Sequence, residues 1–588
     1  MLAPFTEWIG ELKNPATLRA DLIAGITVAL VLVPQSMAYA QLAGLPPYIG
    51  LYASFIPVMI AALMGSSRQL ATGPVAVVSL MTAAALGPMV SSMGLSPQES
   101  LATYLGLAAL LAILVGLFQM LLGLFRLGVL VDFLSHPVVV GFTNGAAIII
   151  ATSQLSKLFG VTVEKAEHHY QTVWWVLVAA SQNTHLLTLA MAILALAVMI
   201  LLKKFAPKAP NVLLAVVITT LISWAFGYQS LGGSVVGEVP AGLPGISLPE
   251  FDMATVLNLG AAAVTISLIG FMEAIAIAKA MAAETRQRLD TNQELFGQGL
   301  SNLTAGLFGA YPVSGSFSRS AVNISAGAKT GFSSIVTGSV VAITLLFLTP
   351  LLYHLPQATL AAVIIMAVVN LVKIEPIKHA MKVQKHDGVV AIITFVLTLV
   401  LAPHLEKSII VGVLLSLGLF LYRSMRPRFA ELSIHPDGTF RDAQAHNLPR
   451  CDYISVLRFD GSLYFANAGY FETRVLRNVA SKPDLRFVIL DLEGINEIDA
   501  TGEGAIGALC ERLGHTGIKV LIARPKRQTM QIFERSGLRE QVGTEHFFRT
   551  RTDAIEFARE KLLAEGIDDS PLAPVRSIRR TRLEPQTS

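Results

Sequence analysis

The chain has 588 residues, of which 53% are hydrophobic and only 14% charged, and its mean hydropathy is +0.60. That composition excludes a soluble globular protein with a water-facing surface, and a formal net charge of +4 argues against a nucleic-acid partner. Apolar runs of spanning length recur along the chain, so the expectation is a polytopic α-helical membrane protein embedded in a lipid bilayer.

Residues 1–20 are polar, carry Pro4 and Pro15, and lack the charged-then-apolar order of a cleaved signal peptide. The first span is read at 21–40, with Gln35 and Tyr39 in it, and the second at Tyr48–Met64. In "GSSRQLATGPVAVVSL", Arg68, Gln69, Thr72, Gly73 and Pro74 interrupt the apolar pattern. Gly73 permits a non-helical link and Pro74 suits the first turn of a helix, which predicts a short third helix from near Gly73 that includes Val75. Spans four to seven fall near 101–122, 129–157, 184–203 and 211–226. At Asp132 and His136 a helix break at His136–Pro137 is preferred to a proton relay. Residues 165–183, with His168, His169, Trp174 and Trp175, read as an interfacial aromatic segment and not as a metal site. After a Gly/Pro-rich link at 227–250, spans eight to fourteen are expected near 256–283, 290–310, 316–327, 332–352, 356–372, 388–403 and 405–422. Glu273 is the sole acid of the eighth span, and an intramembrane acid is by default a proton or cation site. The plainer reading pairs it with Lys279 or Arg319.

The stretch "YPVSGSFSRSAVNISAGAKT", residues 311–330, lies between apolar segments yet is rich in hydroxyls and contains Arg319. An arginine at that depth must face protein or water, and irregular backbone there must be buried or line a cavity. The pattern predicts unwound chain over Tyr311–Gly315 and a half-helix from about Ser316–Ser318. Its free N–H groups, Ser318 and Arg319 would form an anion site. The third and tenth spans are both short, both entered through a break, and about 240 residues apart; Gln35 and Glu273 have a similar offset. Seven spans separate the halves, so the second repeat (256–424) is inverted relative to the first (21–226). Basic residues concentrate in alternate loops (Arg68; Arg126; Lys203, Lys204, Lys208; Arg286, Arg288; Lys329; Lys373, Lys378, Lys382, Lys385; Arg423, Arg426, Arg428), whereas the other loops hold Lys157, Lys165 and Lys407. This places both termini in the cytoplasm.

The transmembrane part is assigned to 21–425. From 430 to 565 charge rises and short β and α patterns alternate: "YISVLRFDGSLYFANA" as a strand pair, "RFVILDL" and "IKVLIA" as buried strands, and helices at "GEGAIGALCERL", "RQTMQIFERSG" and 552–564. A small α/β domain with a mostly parallel sheet is expected. Cys451 and Cys510 lie in it as free thiols. Asp499 and Thr501 are natural N-caps. Residues 566–588 are polar and arginine-rich, and are expected to be disordered.

The stretches "LVPQSMAYAQLAGLPPYIGLYASFIP", "SRQLATGPVAVVSLM", "FLSHPVVVGFTNGAA", "EAIAIAKAMA" and "YPVSGSFSRSAVNISAGAKT" resemble, in order, the motifs of the SulP family of sulfate permeases and related anion transporters. "VILDLEGINEIDATG" resembles the STAS domain that follows the membrane part in that family. The resemblance implies fourteen spans as 7+7 inverted repeats of the uracil-permease type, with core and gate domains, and a homodimer. It implies Gln35, Tyr39, Val75, Ser318 and Arg319 as substrate-binding residues, with Tyr39 standing where many relatives have Phe. Proton-coupled members resemble this chain in having Glu at position 273, whereas sodium-coupled bicarbonate members tend to have Asp with nearby Thr ligands. Thr501 occupies the position phosphorylated in stand-alone STAS regulators. The reading is a secondary active anion transporter of the bacterial inner membrane, a proton–sulfate symporter, with no cofactor, metal or enzymatic chemistry. The alternatives are a bicarbonate or C4-dicarboxylate transporter, or an uncoupled channel or exchanger.

Overall fold

A computed structural model of the chain describes residues 4–128, 135–164, 166–206, 209–249 and 252–567. Asp132, Lys165, Lys208 and the arginine-rich tail from 568 lie outside the described residues. Two compact units are present, Met1–Leu417 and Gly418 onwards.

In the first unit the apolar runs form α1 (Pro15–Leu42), α2 (Pro47–Ala53), α3 (Ile56–Met64), α4 (Ala76–Ser91), α5 (Pro97–Leu124), α6 (His136–Ser153), α7 (Leu155–Phe159), α8 (His169–Asn183), α9 (Leu186–Phe205) and α10 (Asn211–Ala225). The second half supplies α11 (Met253–Thr285), α12 (Thr291–Leu307), α13 (Phe317–Ser325), α14 (Phe332–Ile343), α15 (Gln357–Val368), α16 (Glu375–Val383), α17 (Lys385–Leu401) and α18 (Leu405–Ser424), the last running past the unit boundary. Helix occupies each of the fourteen expected stretches. Among the described residues eight helical segments are long and apolar enough to cross a membrane, and α4, α10 and α15 are shorter apolar helices. The second stretch departs from expectation. It is not one helix but two, broken at Ser54–Phe55 where the backbone leaves helical angles, with Pro57 opening α3. α6 opens at His136 behind an extended Ser135, at the place where a helix break is expected, and residues 169–183 of the aromatic segment are helical.

The helices pack as two bundles. In one, α1 lies against α2, α13 and α14, while α12 fills the space between α3 and α5, and α11 packs on α5. Small residues permit the closest of these approaches: a Cβ on Gly116 of α5 would fall 2.4 Å from the Leu303 nitrogen of α12. In the other, α6 packs on α15, α16 and α17, and α9 on α7, α10 and α15. The bundles meet where α1 touches α10 and α15 and where α4 touches α6 and α15.

The second unit is an α/β domain. Its strands are β3 (Arg428–Ile434), β4 (Phe440–Asp442), β5 (Ile454–Asp460), β6 (Phe487–Asp491), β7 (Lys519–Ala523) and β8 (Phe547–Phe548); two further short strands of the membrane unit, β1 and β2, are described with the site below. The spatial order is β4-β3-β5-β6-β7-β8, antiparallel from β4 to β5 and parallel from β5 to β8. Helices α19 (Ala468–Ala480), α20 (Ala500–His515), α21 (Arg527–Ser536), α22 (Leu538–Val542) and α23 (Arg551–Ala564) cover it. One apolar core packs Phe459, Phe471, Val488, Ile506 and Phe533; another, on the opposite face of alternating strand residues, packs Val456, Ile489, Leu521, Ile555 and Leu562. The expected strand pair at 453–468 is a single strand, β5, followed by a turn and α19; of its second arm only Leu463 bridges, to Ile498.

Candidate functional site

Two breaks in the helical pattern build the site. After α3 the chain bends through residues 65–69 to reach β1 (Thr72–Gly73), and before α13 it runs extended through β2 (Ser314–Gly315). Gly73 has φ +148°, a conformation that favours glycine, and a Cβ there would stand 3.3 Å from an Arg319 Nη2. Pro74 follows, and Val75 is the extended residue that opens α4. On the other side Ser316 opens α13, its Oγ at a long 3.5 Å from the Arg319 N–H it faces. The strands pair antiparallel, Thr72 with Gly315 and Gly73 with Ser314. The pairing extends outward: Ser316 N–H donates to the Ala71 carbonyl at 2.9 Å, Ala71 N–H to Ser320 Oγ at 2.8 Å, and Asn323 Nδ2 to the Gln69 carbonyl at 3.1 Å. The starts of α4 and α13 are thereby bound together, and each helix N-terminus carries about half a positive charge.

Arg319 adds a full charge. It is 1% exposed, and it reaches from the second half into the first. Its Nη2 donates to the Pro74 carbonyl at 2.9 Å and its Nη1 faces Gln35 Oε1 at 3.5 Å, while its Nε has no hydrogen-bond partner among the described residues. No carboxylate pairs with it among the described residues. Gln35 and Tyr39, one turn apart on α1, are buried, and the guanidinium charge reaches the Tyr39 and Tyr311 hydroxyls. Tyr311, also buried, shares a hydrogen bond of 3.2 Å with Ser79 of α4. Thus Gln35, Tyr39, Arg319 and the residues flanking Val75 come together. Ser318 does not join them: it is exposed, as is Phe317 beside it, and its hydroxyl faces Ser316 Oγ at 3.5 Å.

Glu273 sits half-buried on α11 with no hydrogen bond or ion pair among the described residues, so neither Lys279 nor Arg319 partners it. Its helix holds β2: Ser314 Oγ donates to the Gly270 carbonyl at 2.6 Å, and a Cβ on Gly315 would meet the Ala274 Cα at 3.0 Å.

The residues that secure the breaks escaped the sequence reading. Buried Glu294 on α12 accepts the N–H groups of Ser66 and Ser67, both at 2.8 Å, and the Gln298 amide at 3.1 Å; Gln298 also donates to Thr72 Oγ1 at 2.8 Å. Asn302 takes the Val313 N–H at 2.7 Å and returns a bond to its carbonyl at 3.1 Å. From the other direction buried Asp21 of α1 accepts from Lys329 and Thr330 N–H and from Thr330 Oγ1, at 2.7, 3.2 and 2.6 Å. The signal was present: buried polar residues at 294, 298, 301 and 302 recur at helical spacing along α12.

In the second unit Asp499, not Thr501, caps α20, accepting the Gly502 N–H at 2.8 Å. Thr501 is exposed in the first helical turn. Neither cysteine forms a disulfide among the described residues, and burial pushes the Cys510 thiol up to about 12. Burial likewise raises the Asp491 carboxyl, against the pull of Arg551, whose Nε lies 3.0 Å away. Among the described residues no group of three or more His, Cys, Asp or Glu side chains converges as a metal site.

A model of the sulfate permease family matches residues 18–394, and a model of the STAS domain matches residues 445–554. Sulfate transporter 4.1, chloroplastic, of Arabidopsis thaliana is 36% identical over 599 residues, spanning 97% of this chain and 84% of the relative. A probable sulfate transporter of Mycobacterium tuberculosis is 34% identical over 547 residues, spanning 92% of this chain and 96% of the relative. Among solved structures, the murine solute carrier 26 family member A9 anion transporter in the inward-facing state superposes with a TM-score of 0.86 at 24% identity, over 95% of this chain and 94% of that one. The transmembrane domain of a cyanobacterial bicarbonate transporter gives 0.57 at 24% identity, over 68% of this chain and 98% of that one. The chain is an integral membrane protein that belongs to the sulfate permease family, its transmembrane part followed by a STAS domain.

Proposed function

We propose that this protein is a secondary active anion transporter whose substrate binds where the starts of α4 and α13 meet. The observation that carries this reading is Arg319, a buried guanidinium with no acidic partner among the described residues, set beside two helix N-termini. A buried unpaired charge is expensive, and an anion is what relieves it. Gln35, Tyr39, Val75 and Arg319 form the substrate site, and Ser318 stands outside that buried cluster at its edge. Backbone N–H groups supply most of the donors, and Ser318, facing open space, meets the anion on entry.

Sulfate is the favoured substrate, because the curated relatives that match nearly the whole chain are named sulfate transporters. A dianion also balances the site, since Arg319 and two helix ends sum to about +2. Glu273, unpaired on the helix that holds β2, is the proton-coupling group, which makes the process symport by alternating access between core and gate bundles. The protein works as a homodimer in a bacterial inner membrane with both termini, and the STAS domain, in the cytoplasm. The boundaries 21–425 and 430–565 separate transport from regulation, and Thr501 is a regulatory phosphorylation position at a helix start that accommodates negative charge. Uptake of labelled sulfate, bicarbonate, fumarate and succinate into proteoliposomes, with and without an inward proton gradient, tests the whole reading. Accumulation of sulfate driven by the gradient is the expected result. Gradient-independent equilibration would point to an uncoupled exchanger or channel, and preference for another anion would replace the substrate.

A further inference from the structure

Within the break the residues from Tyr311 to Ser316 are buried, and exposure begins abruptly at Phe317, which is 60% exposed, and Ser318. The first turn of α13 is therefore where the buried cluster opens outward. The Lys373 ammonium stands at this opening, 5.9 Å from the centre of the Phe317 ring, within reach of a cation–π contact. Lys373 comes from the other bundle, just past α15 and the short turn Val369–Leu371. It is exposed, and no carboxylate pairs with it among the described residues; nearby Glu375 faces Lys378 at 3.4 Å instead.

Its backbone is held from inside the protein. Asn144, buried on α6, accepts the Lys373 N–H on Oδ1 at 2.7 Å, and its Nδ2 donates to the Lys373 carbonyl at 3.2 Å and to the Val140 carbonyl at 2.8 Å. A buried amide used on both backbone groups of one exposed residue fixes where that residue's side chain begins. A lysine serving only as an interfacial anchor needs no such clamp. At the end of the preceding repeat's corresponding span stands another lysine, Lys157, but its ammonium donates to Gln41 of α1 at 3.2 Å.

We propose that Lys373, positioned by Asn144, draws anions to one mouth of the transport path and hands them to the first turn of α13. The inference rests on the anion-transport reading above and assigns that path a sided electrostatic funnel. A fixed charge at the mouth of a low-dielectric cleft raises the local anion concentration and the rate of capture, and its effect fades with added salt.

Transport by the full-length parent, Lys373→Gln, Lys373→Arg and Asn144→Ala is to be measured in right-side-out and inverted membrane vesicles with labelled sulfate at low and high ionic strength. For Lys373→Gln the expected result is a rise of about three- to tenfold in KM for sulfate presented on the Lys373 side, absent from the other side and largely erased at high salt. Lys373→Arg should behave as the parent. Asn144→Ala should reproduce part of the one-sided rise with the charge still present. An unchanged KM in Lys373→Gln, or an equal change from both sides, overturns the inference while leaving the transport reading intact. A parent that moves none of the tested anions overturns both.

Discussion

Among the described residues Arg319 is a charge without a counter-charge, and that dictates how its removal should read out. Replacing it with apolar residues takes away a desolvated cation, so the unliganded protein should not lose stability. Arg319→Ala and Arg319→Met should insert and unfold at or above the parent's temperature in detergent, yet lose sulfate uptake and any stabilisation by added sulfate. Parent-like uptake in either variant contradicts the proposed site. Arg319→Lys should keep part of the activity, since a point charge remains while the planar fork that spans Pro74 and Gln35 is lost. Glu273 calls for a different experiment. A deprotonated Glu273 and a bound dianion, taken as about 8 Å apart at an effective dielectric of about 20, repel by about 4 kcal/mol. Protonation and anion binding therefore favour each other, and the coupling is reciprocal. Glu273→Gln mimics the protonated form at every pH. Its sulfate affinity should vary less with pH than the parent's, and it should exchange sulfate without concentrating it under a proton gradient. Parent-like accumulation by Glu273→Gln would remove that residue from the coupling mechanism.

At the scale of elements, what the sequence discloses depends on whether a signal is local. The break before α4 is legible because Gly73 and Pro74 are adjacent, and the break before α13 because hydroxyls and an arginine interrupt apolar chain. That β1 and β2 pair with each other is a contact between residues about 240 positions apart, which no window along the chain contains. In α12, Gln298 and Asn302 are diluted among apolar neighbours when hydropathy is averaged over a span, and Glu294 sits just before the apolar part. In the STAS unit "GSLYFANA" alternates in imitation of a strand but forms a turn, and α19 begins at its last residue. The kink at Ser54–Phe55 has Pro57 three and two residues beyond it and was hidden by an unbroken apolar run. The α12 stripe makes a prediction of its own. Glu294→Leu leaves the N–H of buried Ser67, and that of half-buried Ser66, without an acceptor, a loss of about 1–3 kcal/mol for the buried group alone. Glu294→Gln retains one acceptor oxygen and should lose less. Thermal unfolding in detergent should rank parent, Glu294→Gln and Glu294→Leu in that order, and an unshifted Glu294→Leu would show that the loop finds other partners.

For the whole molecule, the two compact units imply separable duties. All the proposed substrate and coupling residues lie at or before Arg319, so deleting 430–588 should leave equilibrium sulfate binding while lowering yield, assembly or turnover. Loss of binding by a stable truncated protein, measured by calorimetry, would contradict that division. The pairing of β1 with β2 carries a wider consequence. Because the two broken helices are stitched to each other, and Asp21 and Glu294 stitch them further to α1 and α12, neither can swing away to uncover its cargo. The cradle has to travel as one carriage, and slippage is left to the seam where α1 and α4 run along α6, α10 and α15. A rivet across that seam, such as a thiol cross-link between Gln41→Cys and Lys157→Cys in a protein lacking Cys451 and Cys510, should stop turnover while the stalled carriage still holds its anion.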